Sequence, residues 1–90
     1  MNIPDADLVG RFVQDGRLVI MPTKRSKLIA VLDHIAQEFE LGQTYPEAQV
    51  NEILEGYHDD YAALRRYLVD EGFMTRDGGV YWRSGGTVEV

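Results

Sequence analysis

Ninety residues with 44% apolar content and no cysteine describe one folded domain around one core. Nine Lys and Arg against fifteen Asp and Glu leave a formal charge of −6, which argues against indiscriminate binding to nucleic acid or anionic membrane. The missing cysteines exclude disulfides and thiolate zinc sites and make a reducing cytoplasm the default. The longest apolar run, Leu18 to Met21, is far too short to span a bilayer, and no basic-then-apolar leader opens the chain.

Pro4 and Asp5 open a short amphipathic helix that runs to Val13 with Leu8, Val9 and Phe12 on its apolar stripe, closed by the turn pair Asp15-Gly16. Leu18-Val19-Ile20-Met21, stopped by Pro22, reads as a short buried strand. Thr23 is placed to cap the longest helix, whose stripe is Leu28, Leu32, Ile35 and Phe39, with Val31 beside it and Gly42 as its stop. Thr44-Tyr45-Pro46-Glu47 has capping-box spacing with Pro46 in the first turn. The helix it starts carries Val50, Ile53 and Leu54 and breaks at Gly56-Tyr57-His58. Asp59 and Asp60 suit the start of the next helix, which turns Tyr61, Leu64 and Leu68 inward and stops at Gly72. Phe73 to Arg76, Asp77-Gly78 and Gly79 to Arg83 spell a β-hairpin turning on the Asp-Gly pair. Thr87 to Val90 is a further short strand candidate.

Two short helices across a tight break, a glycine stop and a hairpin follow the order of a winged helix-turn-helix. The expected fold class is therefore α+β, a single domain with a winged helix-turn-helix-like core over about residues 23–83 and an extra N-terminal helix and short strand. Pro46 to Glu55 would be the supporting helix, Asp59 to Glu71 the recognition helix and Phe73 to Arg83 the wing.

Several segments also resemble a bacterial family. They are Leu18 to Pro22 with Lys24-Arg25, Phe39 through Tyr45-Pro46-Glu47 to Val50-Asn51-Glu52-Ile53-Leu54, and Asp59-Asp60-Tyr61 through Leu64-Arg65-Arg66-Tyr67-Leu68-Val69-Asp70, then Gly72, Arg76 and Tyr81. The chain resembles the domain of unknown function 2087 family over roughly residues 8 to 83. That resemblance implies a bacterial protein of the kind that stands alone or forms the carboxy-terminal part of transcription regulators, and it brings no established activity with it.

Charge is unevenly distributed. Residues 17–27 hold four cations and no anion, whereas residues 28–60 hold eight anions and no cation. Lys24, Arg25 and Lys27 stand at the expected start of the long helix, where the helix dipole disfavours each cation by roughly 0.3–1 kcal/mol. Free amides plus three cations would suit a phosphate or carboxylate; the plainer alternative is outward solvation or pairing with the acidic segment. Arg65 and Arg66 sit on the expected recognition helix, with Asp59, Ala62, Ala63, Arg66 and Asp70 outward, one Arg against two Asp, and Arg65 on the flank of the buried face. Structural ion pairing is the competing account of both. In the expected wing, Arg76 and Arg83 bracket Tyr81 and Trp82, a pattern that either grips a nucleic-acid backbone or packs one face on the core; Tyr81 and Arg83 share a face opposite Trp82.

Catalysis has little support. His58 beside Asp59 and Asp60 lacks ligand spacing with His34, and serving the interhelical turn is its simplest role. Ser26 and Ser84 lack a nucleophile setting, and no metal or cofactor is expected. The leading expectation is a small cytoplasmic regulator-type protein that binds DNA. Lys24, Arg25 and Lys27 would hold phosphate, and Arg65, Arg66, Arg76 and Arg83 would make groove and wing contacts. The alternative is a protein-interaction or homodimerisation module of the same shape, its acidic 47–60 surface meeting a basic 17–27 segment. A small-anion sensor near Thr23 is a third reading, and no membrane partner is expected.

Overall fold

The structure, a computed structural model, describes residues 6–88. In chain order it comprises α1 (Ala6–Phe12), β1 (Val13–Gln14), β2 (Arg17–Leu18), α2 (Arg25–Ala36), β3 (Thr44–Pro46), α3 (Glu47–Glu55), α4 (Tyr61–Asp70), β4 (Met74–Asp77) and β5 (Val80–Arg83). The class is α+β: four helices with two small antiparallel sheets, β1-β2 and β3-β5-β4, among the described residues. The expected helix start at Pro4 and Asp5 and the last two residues of the Thr87–Val90 strand candidate lie outside the described residues. Thr87 and Val88 are not in a strand.

The apolar stripes read from the sequence meet as one core. Val31, Leu32 and Ile35 of α2 pack with Val50 and Leu54 of α3, Leu64 and Leu68 of α4, and Phe73, Met74 and Tyr81 of the hairpin. Phe39, in the turn that follows α2, is fully buried and stands edge-on to Tyr45 at 5.1 Å. α2 ends at Ala36, before the stop expected at Gly42.

Leu18–Met21 is not a strand of four. Only Leu18 is paired and buried, while Val19 and Ile20 are 49% and 60% exposed. The partner strand supplies the reason: α1 runs to Phe12, so β1 has two residues and the ladder ends after Val13↔Leu18. The Leu18 amide is part of a longer-range tie, donating to the Tyr57 carbonyl at 2.8 Å, and Arg17 Nη1 donates to the Glu55 carbonyl at 2.9 Å. Together they satisfy the last carbonyl of α3, which the helix itself leaves open, and one in the turn that follows.

Both expected N-caps at the first two core helices are corrected. Lys24, in extended conformation and with no side-chain cap bond, precedes α2; its carbonyl accepts from the Lys27 and Leu28 amides, which leaves Thr23 outside the helix. Thr44-Tyr45-Pro46 is strand β3 rather than a capping box, paired as Thr44↔Trp82, Tyr45↔Tyr81 and Pro46↔Val80. The Glu47 amide donates to the Gly79 carbonyl at 3.0 Å, and its carboxylate accepts from the Tyr81 hydroxyl. Asp60 does cap α4, its carboxylate accepting from the Ala63 amide at 3.3 Å.

The hairpin turns one residue later than Asp-Gly spacing implies. Gly78 and Gly79 have φ of +57° and +84°, and Asp77 remains in the ladder opposite Val80. A two-residue turn with positive φ at both positions is met with least strain by Gly-Gly. The expected alternation holds, with Tyr81 and Arg83 buried and Trp82 on the other face, half-exposed.

α3 and α4 are joined by Gly56–Asp60. There His58 Nδ1 accepts from the Asp60 amide at 2.9 Å, so this histidine serves the turn. Tyr57 is buried, and its hydroxyl donates to Glu38 Oε1 at 2.9 Å. Burial, then the Glu38 hydrogen bond and charge, push the phenol from its ordinary 10 up to about 12. Above pH 10 the unfolded chain therefore releases this proton while the folded chain keeps it. The stability associated with Tyr57 is complete below pH 10 and is lost as pH rises toward 12. Denaturant unfolding across that window should show wild type losing stability more steeply than Tyr57→Phe; parallel profiles would contradict the assignment.

Candidate functional site

The outward face of α4 and the β4–β5 hairpin enclose an open groove of about 720 Å³. Ala62, Arg65, Arg66, Val69 and Asp70 reach it from α4, at the spacing that places residues on one helix face. Arg76 reaches it from β4, Tyr81 from β5 and Glu47 from the start of α3. Three guanidinium groups thus face three carboxylates, those of Glu47, Asp60 and Asp70.

These charges are held differently. Arg65 is half-buried; its Nη1 donates to Asn51 Oδ1 of α3, and its Nε lies 3.9 Å from Glu47 Oε1. The same Glu47 oxygen accepts from the Tyr81 hydroxyl at 2.9 Å, so one carboxylate braces both α4 and the hairpin. Burial first, then the bond to Glu47, raise the Tyr81 phenol above its ordinary range, keeping it a donor. Arg66 is exposed and lies 5.9 Å above the Tyr67 ring centroid. Arg76 is exposed. Neither Arg66 nor Arg76 is in an ion pair among the described residues.

Of the seven expected contact residues, the fold brings Arg65, Arg66 and Arg76 together in this groove. Lys24, Arg25 and Lys27 stand elsewhere, at the start of α2, and Arg25 pairs with Glu71 at 2.6 Å. Arg83 is a correction. It points inward, 8% exposed, with Nε donating to the Gly85 carbonyl, Nη1 to Phe39 and Nη2 to Thr87. Period-2 alternation had already placed it on the Tyr81 face, and that face is the core. The basic and acidic segments also meet within the one chain, as Arg17 pairs with Asp59 at 3.2 Å.

Sequence reading missed Asn51 as part of the site, took Glu47 for a cap and weighed Tyr81 only within the aromatic pattern of the wing. Nothing local in the sequence marks Asn51: it meets Arg65 only because α3 and α4 pack across the turn. Among the described residues no group of three His, Cys, Asp or Glu side chains is placed to hold a metal, and no helix is long and apolar enough to cross a membrane.

Fold and groove define a small α+β protein with a helix pair and a hairpin turned toward one charged concavity. The chain belongs to the bacterial family described as "Uncharacterized protein conserved in bacteria (DUF2087)", whose model matches residues 17–83. The match starts at Arg17 and not near Leu8, so α1 and β1 lie outside it. No match was found among curated proteins or among solved structures.

Proposed function

We propose that this chain is a winged-helix module of the transcription-regulator type that binds duplex DNA, with α4 as the reading helix and the β4–β5 hairpin as the wing. The order α2-β3-α3-α4-β4-β5 and the strand order β3-β5-β4 support that reading. One observation carries it: Arg66 and Arg76 enter the same open groove from two different elements, exposed and outside every ion pair among the described residues. A phosphate backbone lying between α4 and the hairpin meets both cations. Asp60 and Asp70 on the same surface oppose it, so the expected binding is weak, micromolar at low salt.

Fluorescence anisotropy of a labelled random duplex, titrated from about 20 to 200 mM salt, tests the proposal. Binding should weaken steeply with salt, and Arg66→Ala and Arg76→Ala should each reduce the salt slope by about 1. A flat titration at the lowest salt overturns it. The carboxylates in the groove would then favour a protein partner for the same face.

A further inference from the structure

We propose that Arg65 is the base-reading residue of this surface and that it selects guanine, an inference that rests on the DNA-binding reading above. Arg66 and Arg76 are exposed cations suited to phosphate. Arg65 differs from them in every respect that matters for recognition. It lies in the second turn of α4, within the N-terminal part of a reading helix that reaches base edges. Its side chain is only 24% exposed, yet the residue lines the groove. Asn51 takes one hydrogen of Nη1, and Glu47 faces Nε. The second hydrogen of Nη1 and both hydrogens of Nη2 have no protein acceptor among the described residues.

That remainder has the shape of a fork. In the major groove guanine offers two acceptors side by side, N7 and O6, whereas adenine places a donor beside N7. A guanidinium whose position is already fixed by Asn51 and Glu47 loses little further freedom on meeting that pair. The brace is itself held, since the Tyr81 hydroxyl fixes Glu47. Ala62, on the same face one turn earlier, leaves room for a base edge to approach.

Enrichment from a random duplex library by the whole protein, repeated with Arg65→Lys and Asn51→Ala and accompanied by thermal melts, decides the matter. Wild type should enrich a site with one strongly preferred guanine. Arg65→Lys should reduce preference at that one position by about tenfold or more while keeping salt-dependent binding. Asn51→Ala, which keeps the guanidinium but frees it, should blunt the same position. Binding without a guanine preference, or the same enriched site from both variants, overturns the inference and leaves DNA binding standing. No duplex bound by wild type removes the underlying reading and the inference with it.

Discussion

Arg83→Ala should lower stability by about 2–3 kcal/mol, measured by denaturant unfolding. This guanidinium donates to the carbonyls of Phe39, Gly85 and Thr87, the last of which also accepts from Gln37 Nε2, and the residue is only 8% exposed. Removing it leaves the buried Phe39 carbonyl without a donor, which costs more than the bond itself contributes. Arg83→Lys should recover only part of the loss, because one ammonium cannot reach carbonyls spread around a planar fork. The surroundings are equally tight. A Cβ at Gly85 would lie 2.5 Å from the Gly72 carbonyl oxygen, and one at Gly86 2.9 Å from Asp33 Oδ1. A loss below about 1 kcal/mol would mean that Arg83 faces solvent, as a surface substitution does.

Phe39→Ala should cost about 3–5 kcal/mol by the same measurement. The ring is fully buried and fills the junction of α2, β3 and the hairpin, edge-on to Tyr45. The Tyr45 hydroxyl accepts from the Glu40 amide at 2.8 Å, so losing the ring also loosens the turn that carries it. Leu41, two residues on and 51% exposed, is the control: Leu41→Ala should stay within about 0.5 kcal/mol of wild type. Because Arg83 Nη1 donates to the Phe39 carbonyl, the Phe39→Ala and Arg83→Ala losses should not add. Equal effects of Phe39→Ala and Leu41→Ala would contradict the packing described.

What could be read from the chain followed the range of the forces involved. Leu28, Leu32 and Ile35, then Val50, Ile53 and Leu54, then Leu64 and Leu68, repeat at helical spacing because each helix buries one face, and their faces do meet, with Phe39 of the turn after α2 joining them. Helix α4, its Asp60 cap and the Gly72 stop were legible for the same reason: each depends on neighbours within a turn or so. The errors arose where a distant partner outcompeted a local one. Thr44 and Glu47 have the spacing of a cap, but β5 claimed Thr44–Pro46 as a strand and the Gly79 carbonyl took the Glu47 amide. Val19 to Met21 have strand composition, but the ladder ends at Val13↔Leu18, and beyond it, among the described residues, only the Val19 amide finds a partner, the Phe12 carbonyl at the end of α1. In the groove, Arg66 and Arg76 were visible as charges, whereas the Asn51–Arg65–Glu47–Tyr81 brace joins four residues from three elements and leaves no local trace.

The strand order β3-β5-β4 leaves two sheet borders, and their composition bears on behaviour at high concentration. One border is three residues long and ends in Pro46, which has no amide to offer. The other ends in Arg76-Asp77, both exposed and charged. Neither presents the long, flat, apolar ladder that recruits a second chain. The borders of this sheet should therefore resist edge-to-edge pairing with a second copy, and a net charge of −6 adds repulsion between copies.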